Sequence, residues 1–220
     1  MIHSFLEQDE IVSRGGACIK NISVSMIILA AGLSERMRAF KPLLPIEGQP
    51  AVLRCISAAE QAGVREIIVV TGHRRQELEQ VLLDKAPEAR VVCNPRYLDG
   101  MYTSVCAGVE ALSKGVDGFF LLPVDCCAVQ PEVLTLLEKK FTEAEKGAVA
   151  RPGFNGRRGH PPLIPILYKD MLLSYGGENG LKGFLAALPS IEVETNSPAV
   201  LLDMDTPEDL EVLLEFFRRG

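Results

Sequence analysis

The sequence predicts a three-layer α/β/α sandwich around a mostly parallel central sheet. Strand-like apolar runs alternate with amphipathic helical segments along most of the chain, which is typical of folds built from strand–helix–strand units. The runs at residues 26–31, 66–71 and 118–124 contain stretches that are apolar on both faces, as expected for parallel strands covered by helices on both sides. The 220 residues are enough for one large domain with its own core.

The strands follow from short apolar runs bounded by turn residues. In chain order they are predicted at residues 26–31, 66–71, 90–93, 118–124, 147–150, 163–167, 191–193 and 200–204. Because ligands in such sheets bind beyond the carboxyl ends of the strands, we expect the functional site on the loops that lead from strand to helix.

The helices follow from apolar side chains that recur on one face. They are predicted at residues 51–62, 73–83, 103–112, 131–144 and 207–217. The first should end at Gly63, a common C-terminal stop. The last should begin with Thr206 as N-cap, Pro207 in its first turn and Asp209 three residues on.

Composition and charge narrow the class of protein. No linker or repeat divides the chain, so we expect one domain at residues 25–220 after an N-terminal extension at residues 1–24 that shows no clear period. The net charge of −6 and the lack of a basic face disfavour nucleic-acid and anionic-membrane partners. No apolar run approaches the roughly 18 residues of a membrane span, and the N-terminus lacks a signal-peptide layout. Six scattered cysteines without a C-x-x-C pair are typical of reduced thiols, which predicts a cytoplasmic protein.

The strongest local signal follows the first predicted strand. Residues 29–37 read L-A-A-G-L-S-E-R-M, and residues 41–45 read K-P-L-L-P. Small residues let a ligand approach the backbone, amides after Gly32 can face phosphate oxygens, and Arg36 and Lys41 supply positive charge for a triphosphate. A simple turn with two solvated cations explains the spacing equally well. The segment matches neither the P-loop pattern G-x-x-x-x-G-K-S/T nor the dinucleotide pattern G-x-G-x-x-G.

Acidic residues follow two other apolar segments. Asp125 comes directly after the predicted strand at 118–124, and Asp203 and Asp205 lie two residues apart, so on an extended segment they share a face. Carboxylates at the carboxyl end of a central strand suit a hard cation such as Mg²⁺. A turn or helix-capping role is the commoner one for an isolated aspartate such as Asp125.

Two polar loops complete the set of candidates. Residues 156–163 read G-R-R-G-H-P-P-L, where two arginines beside His160 suit an anionic substrate, although composition alone favours a solvent-facing basic loop. Residues 94–104 begin with Asn94 and end with Thr103 and Ser104. Either hydroxyl residue can cap the next helix and leave its N-terminus open to an anion, and capping alone also explains them.

These motifs together resemble one known family. The first motif, N-P-x-x-x-x-G-M-x-x-S, G-x-x-G-H-P and D-x-D-T-P-E-D-L occur in family order within residues 26–217, and they resemble the nucleotidyltransferases related to molybdenum cofactor cytidylyltransferases and molybdopterin guanylyltransferases. The resemblance implies a Rossmann-like sandwich of the nucleotide-diphospho-sugar transferase (GT-A-like) type. It also implies Mg²⁺-dependent transfer of CMP from CTP to molybdopterin with release of pyrophosphate, since the Ala-Ala-Gly form of the first motif is associated with CTP in that family.

The resemblance also implies roles for individual residues. Arg36, Lys41 and Asp125 are expected to be catalytic, and Asp125 is expected to bind Mg²⁺ together with Asp203 or Asp205. The expected nucleotide contacts are Leu29, Ala30, Ala31, Gly32, Ser34, Arg36, Lys41, Thr71 and Ser104. The expected acceptor contacts are Asn94, Gly100, Met101, Ser104 and His160. Because the family works with molybdenum hydroxylases, such an enzyme is the expected recipient of the product.

The chain departs from the family pattern at two places. Arg38 stands where the family usually has a glycine after R-M, and Cys126 and Cys127 stand where it has a residue and then a proline after the aspartate. Two alternatives stay open beside the cytidylyltransferase. One is a related transferase that uses GTP or another phosphorylated acceptor, such as a sugar phosphate. The other is a non-catalytic nucleotide-binding module.

Overall fold

A computed structural model describes residues 22–144 and 147–219. Most of the predicted N-terminal extension, residues 1–21, lies outside the described residues, so the extension remains a prediction. Its last residue, Val24, already begins the first strand. Among the described residues, no helix is long and apolar enough to cross a lipid bilayer.

One mixed sheet forms the middle of the fold. The strands are β1 (Val24–Leu29), β2 (Pro45–Ile46), β3 (Gln49–Pro50), β4 (Glu66–Thr71), β5 (Arg90–Cys93), β6 (Gly118–Pro123), β7 (Val149–Phe154), β8 (Arg157–Arg158), β9 (Leu163–Pro165) and β10 (Ser190–Glu194). The sheet order is β10-β7-β9-β6-β1-β4-β5, with β8 paired to β7, while β2 and β3 form a separate hairpin. β1 pairs in parallel with β4 and β6, and β9 runs antiparallel to both β6 and β7. The predicted, mostly parallel sheet is therefore confirmed.

Helices cover both faces of this sheet. They are α1 (Ala51–Gln61), α2 (Arg75–Lys85), α3 (Met101–Glu110), α4 (Pro131–Glu143), α5 (Lys169–Ser174), α6 (Gly180–Ala186) and α7 (Pro207–Arg219). Side chains of α1, α2, α4 and α7 pack in a core cluster on one face, and those of α3, α5 and α6 pack in a second cluster on the other. The three layers predicted from the sequence are thus present.

The alternation of β1 explains why it lies at the centre. Met26 and Ile28 enter the first core cluster, whereas Ile27 and Leu29 enter the second. Every residue of the strand is buried, as expected where both faces are covered.

The start of α7 has the predicted capping arrangement. The Thr206 hydroxyl accepts from the Asp209 amide at 3.2 Å, and Asp209 Oδ2 accepts from the Thr206 amide at 2.9 Å. Two amide donors that the first turn would leave unpaired are therefore satisfied reciprocally. This cap fixes the point at which the chain leaves Asp205 and enters the helix.

The strand predicted at residues 200–204 is wrong. Pro198–Leu201 is a 3₁₀ helix, and the next residues have no regular structure. Pro198 has no amide hydrogen for a strand ladder. The Ser197 hydroxyl accepts from the Ala199 amide at 3.3 Å, and the Val200 carbonyl accepts from the His160 amide at 2.8 Å. Local turn bonds and a loop contact therefore take the place of strand pairing.

Several short elements have no counterpart in the sequence prediction. α5 and α6 contain six and seven residues, which is too short to show a clear helical period.

Strand β7 begins at Val149 and runs to Phe154, past the predicted end at residue 150. Pro152 and Gly153 lie in this extension and mask the strand pattern.

Candidate active site

A cleft of about 390 Å³ opens where β1 and β6 end. A volume in this range is typical of a small-molecule site, and the position is the one predicted for a sheet of this kind. Its walls come from the loop after β1, the residues after β6, the segment before α3 and the residue that precedes the cap of α7. The lining residues are Leu29, Ala31, Gly32, Leu33, Ser34, Glu35, Arg36, Lys41, Pro42, Tyr97, Leu98, Gly100, Met101, Ser104, Pro123, Val124, Asp125 and Asp205.

The loop after β1 leaves its backbone open to a ligand. The Ala30 amide donates to the Val70 carbonyl at 2.9 Å, which ties the start of the loop to β4. Gly32 is exposed, and a Cβ atom built there would meet nothing within 4 Å. Ser34 and Arg38 have φ values of +58° and +52°, so the loop enters the left-handed region twice. Glycine adopts that conformation without strain, which explains the usual family residue at position 38, whereas Arg38 is exposed and outside the cleft lining.

Lys41 lies at the centre of a charged network on the cleft floor. Its Nζ donates to Asp205 Oδ1 at 2.7 Å and to Asp125 Oδ2 at 3.1 Å, and its amide donates to the Ser34 hydroxyl at 3.2 Å. Arg36 Nη2 donates to the other carboxylate oxygen of Asp205 at 2.7 Å. Only 11% of the Lys41 side chain is exposed, against 69% of the Arg36 side chain. The lysine ammonium is therefore largely shielded from water, whereas the arginine reaches into the site from solvent.

The charges of this network shift the pKa values of its members. Burial works against the charge on Lys41, but hydrogen bonds and charges from Asp205 and Asp125 outweigh it and raise the lysine pKa. The hydrogen bond from Lys41 lowers the pKa of Asp205. Burial, followed by the charges of Asp205 and Asp125, raises the pKa of Asp203. Negative charge is therefore in excess around Asp203.

Carboxylates are suitable ligands for a hard cation, but Asp125 and Asp205 are paired with the Lys41 ammonium. Within residues 22–144 and 147–219, no group of three or more His, Cys, Asp or Glu side chains is arranged to hold a metal ion. Asp125 and Asp205 are bridged by the Lys41 ammonium instead. Carboxylate oxygens are the ligands that Mg²⁺ prefers, and a cation would relieve the repulsion felt by Asp203. The donor set thus suits Mg²⁺ once the lysine contacts are released.

The two cysteines after Asp125 fill the turn as neutral thiols. Both are buried. Burial raises the pKa of the Cys126 thiol well above its ordinary value and that of the Cys127 thiol to about 12. The Cys126 amide donates to the Pro123 carbonyl at 3.0 Å, which closes the turn after β6. The departure from the family pattern at this point therefore leaves the aspartate in the cleft lining.

Asn94 holds the wall of the cleft formed by the start of α3. Its side-chain nitrogen donates to the hydroxyls of Thr103 and Ser104, each at 2.9 Å, and its Oδ1 accepts from the Arg96 amide at 2.9 Å. Ser104 and Gly100 line the cleft, whereas the buried Asn94 lies behind them. Gly100 has a φ of +107°, a conformation that strains any side chain. The geometry makes Asn94 a positioning residue for Ser104.

Two predicted nucleotide contacts lie outside the cleft lining. Ala30 is buried in the first core cluster, whereas its neighbours Leu29 and Ala31 belong to the second cluster and line the cleft. Thr71 is fully buried, and its hydroxyl donates to Glu79 Oε1 at 3.1 Å on α2. Their contacts with a nucleotide stay predictions.

His160 and Asp203 also lie outside the lining but close to its carboxylates. Among the described residues, His160 Nδ1 is buried without a hydrogen-bond partner. Burial lowers the pKa of His160, while the charges of Asp125 and Asp203 act in the opposite direction. A Cβ atom at Gly159 would lie 2.1 Å from the Val200 carbonyl oxygen, so only glycine lets this loop approach the 3₁₀ helix so closely. The assigned roles of His160 and Asp203 stay predictions.

The cleft also contains residues that the motifs do not predict. Tyr97 and Leu98 line it, and they occupy variable positions of N-P-x-x-x-x-G-M. Leu33, Leu98 and Met101 are exposed apolar side chains at its rim, and Leu98 is 68% exposed. An apolar residue in an otherwise polar loop is the one signal that points to Leu98. A Cβ atom at Gly72 would lie 2.8 Å from the Tyr97 Cβ, so this glycine lets Tyr97 pack against the loop.

The central sheet, its two helical layers and the cleft at the strand ends have the GT-A-like fold. Residues 26–193 match the MobA-like NTP transferase domain. The chain therefore belongs to the MobA-like NTP transferase family.

Individual relatives are similar over most of the chain. The chain is 30% identical over 187 residues to the molybdenum cofactor cytidylyltransferase of Escherichia coli, which covers 85% of this chain and 93% of that protein. A nucleotidyl transferase from Methanothermobacter thermautotroptrophicus is 26% identical with a TM-score of 0.75, covering 91% of this chain and 100% of that chain. A crystal structure of a Mycobacterium tuberculosis protein in complex with manganese is 20% identical with a TM-score of 0.68, covering 88% of this chain and 98% of that chain, a likeness of fold alone.

Proposed function

We propose that this protein is a Mg²⁺-dependent nucleotidyltransferase that transfers CMP from CTP to molybdopterin and releases pyrophosphate. The observation that carries the proposal is the Lys41 ammonium held between Asp125 and Asp205 on the floor of the cleft. Cations for a triphosphate and carboxylates for a divalent cation meet there around one cavity. The identity of 30% to the cytidylyltransferase of Escherichia coli and the Ala-Ala-Gly form of the first loop support CTP and molybdopterin as substrates.

The proposed reaction is an in-line transfer at phosphorus. A phosphate oxygen of the acceptor forms a bond to the α-phosphorus of CTP, and the bond from that phosphorus to the bridging oxygen of the β-phosphate breaks. Lys41 and Arg36 hold the phosphates and stabilise the charge that builds on them. Asp125 with Asp203 or Asp205 would hold Mg²⁺, which supplies further neutralisation of phosphate charge when bound.

We assign the acceptor to the part of the cleft formed by the start of α3. Gly100, Met101 and Ser104 line it, and His160 lies next to the carboxylates. The acceptor phosphate is already ionised at neutral pH, so the transfer needs no strong general base, and we assign His160 to binding. Asn94 would act through Ser104, whose hydroxyl it holds.

The departures from the family pattern leave the proposed machinery intact. Arg38 lies outside the cleft lining, and Cys126 and Cys127 are packed in the turn beneath Asp125. These placements favour an active transferase over a non-catalytic nucleotide-binding module. We also propose that the protein works in the cytoplasm and passes its product to a molybdenum hydroxylase. Unchanged cofactor content of a host hydroxylase in cells with and without this protein would contradict the last point.

The test is release of pyrophosphate with Mg²⁺, molybdopterin (with and without molybdate) and each of CTP, GTP, ATP and UTP. Wild type should release pyrophosphate with CTP, and Asp125→Ala should lose most of that activity. Asp84→Ala is the matched control, because Asp84 is exposed on α2 and is not part of the cleft lining, and it should leave the rate unchanged. Selective release with another nucleotide would retain the chemistry and exclude CTP. Nucleotide binding without any release would favour another acceptor, such as a sugar phosphate, or the binding module.

A further inference from the structure

The charged network of the cleft neutralises itself in the absence of substrates. Two cations, Arg36 and Lys41, make three close contacts to the carboxylates, one to Asp125 and two to Asp205. Among the described residues Asp203 forms no ion pair, and the charges that act on it are those of Asp205, Asp125 and Asp209 together with that of Lys41. The two aspartates whose side chains line the cleft are therefore the two already occupied by a cation of the protein itself.

We infer that Lys41 acts as an internal counter-ion that holds the carboxylates of the metal site and gives them up when a nucleotide binds, so that nucleotide and metal ion bind with coupled affinities. The inference rests on the proposed function, and it assigns to the ion pairs a regulatory role in that same site.

The geometry makes the lysine and a metal ion competitors. The Lys41 ammonium lies 3.1 Å from Asp125 Oδ2 and 2.7 Å from Asp205 Oδ1. Mg²⁺ binds carboxylate oxygens at about 2.0–2.1 Å, so an ion on these same oxygens would face a like charge at contact distance. Because the lysine side chain is only 11% exposed, water screens this repulsion weakly. A metal ion alone should therefore bind poorly.

A triphosphate reverses the balance, since it offers both cations a new partner. The lysine ammonium sits on a flexible stem with three donors, which lets it turn from a carboxylate to a phosphate oxygen. Arg36 is 69% exposed and held only at its tip, so it can follow. Once both cations contact phosphate, Asp125 and Asp205 carry unpaired charge that a divalent ion can neutralise. By thermodynamic linkage, the metal must then raise nucleotide affinity by the factor by which the nucleotide raises metal affinity.

The test measures metal binding directly, without turnover. Mn²⁺ serves as the probe, because the electron paramagnetic resonance signal of the free ion gives its affinity. CTP is used in the absence of acceptor, and Mn²⁺ bound by CTP alone is measured without protein and subtracted. Wild type should bind Mn²⁺ at least about tenfold more tightly with CTP present, a coupling in the usual range. Lys41→Gln should bind Mn²⁺ at least about tenfold more tightly than wild type without nucleotide, and its coupling to CTP should shrink.

Two further variants give the comparison its controls. Arg36→Gln should raise nucleotide-free Mn²⁺ affinity by a smaller factor, because it frees only one oxygen of Asp205. Arg38→Gln removes a positive charge from the same loop without removing any contact to these carboxylates among the described residues, so it should leave Mn²⁺ affinity within about twofold of wild type. Thermal melting checks that each variant folds. If Lys41→Gln does not fold, the comparison of nucleotide-free Mn²⁺ affinity between Arg36→Gln and Arg38→Gln decides whether the cations of the network compete with the metal ion.

The outcomes separate this inference from the proposed function. Unchanged or weaker nucleotide-free Mn²⁺ binding in Lys41→Gln, or equal Mn²⁺ affinity of wild type with and without CTP while CTP binds, overturns the counter-ion role and leaves the transferase proposal standing. Wild type that binds none of the four nucleotides overturns the transferase proposal. The nucleotide-free comparison of Lys41→Gln with wild type still decides whether the lysine and the metal ion compete.

Discussion

Replacing Arg38 by glycine should stabilise the protein without changing nucleotide binding. Arg38 has a φ of +52°, and it is exposed. The left-handed conformation costs a residue with a Cβ atom about 1–2 kcal/mol, whereas glycine adopts it freely. Glycine in turn loses more backbone freedom on folding, by roughly 0.5–1 kcal/mol. The expected net gain in the free energy of unfolding is therefore about 0.5–1 kcal/mol.

Chemical and thermal unfolding would measure this gain. In a domain of this size, 1 kcal/mol corresponds to a shift in Tm of about 2–4 °C, so Arg38→Gly should raise Tm by about 1–4 °C. Arg38→Ala is the matched control, because alanine removes the same charge but keeps the left-handed strain. It should be no more stable than wild type, and less stable than Arg38→Gly by about 0.5–1 kcal/mol.

Two results would refute the reasoning. Equal stability of Arg38→Gly and Arg38→Ala would show that the backbone strain at this position does not exceed the entropic loss of glycine. A large loss of CTP affinity in both variants would show that the arginine side chain contacts the nucleotide, contrary to its place outside the cleft lining.

The remaining predictions concern a half-buried carboxyl group, that of Glu138, and a close backbone contact at Gly159. Burial raises the pKa of Glu138 to about 7, and its Oε1 has no partner among the described residues. Between about pH 4.5 and about pH 7 this group therefore ionises in the unfolded chain but stays protonated in the folded one. Because of this difference, the free energy of unfolding falls as the pH rises through that range. Relative to wild type, Glu138→Gln should therefore gain about 1–3 kcal/mol in urea unfolding at pH 8 and nearly nothing at pH 4. Gly159→Ala should lose about 2 kcal/mol or more in the same assay, because its Cβ would lie 2.1 Å from the Val200 carbonyl oxygen, a backbone atom that cannot turn away.

Matched variants control both experiments. Glu143 lies on the same helix as Glu138 but is exposed and paired with Lys140, so Glu143→Gln should gain no stability at pH 8. A pH-independent effect of Glu138→Gln would contradict the assignment of a raised pKa. Gly32→Ala places its Cβ in open space and should stay within about 1 kcal/mol of wild type. Equal stability of Gly159→Ala and Gly32→Ala would contradict the steric argument.

Local apolar patterns predict the bounds of β4 and of the edge strand β5, whereas the central strand β1 begins and ends two residues before its predicted span. β4 and β5 begin and end at the predicted residues, because their apolar runs are bounded by polar residues on both sides. The run at residues 200–204 has the same local pattern but forms no strand, because Pro198 and the neighbouring Ser197 favour a turn. The hydrogen bond from the His160 amide to the Val200 carbonyl adds a tertiary contact that the local pattern does not encode.

For the site, the sequence predicts which residues meet at the sheet edge but not how they pair. The rule that ligands bind beyond strand ends brings the first loop and Asp125 together. The ion pair of Lys41 and Asp205 joins residues 164 positions apart, and no local pattern encodes it. Thr71 shows the reverse case. Its position at a strand end suggests a ligand contact, yet its hydroxyl donates to Glu79 on helix α2.

The reversed direction of β9 has a consequence for how such an enzyme can diversify. Because β9 runs against its neighbours β6 and β7, the loop that precedes it reaches the same sheet edge as the loops that follow β1 and β6. The proposed phosphate grip and the proposed acceptor contact at His160 thus come from stretches of chain separated by more than a hundred residues. Mutations that reshape residues 156–162 can redirect the enzyme to a new acceptor during evolution while the nucleotide half is inherited unchanged.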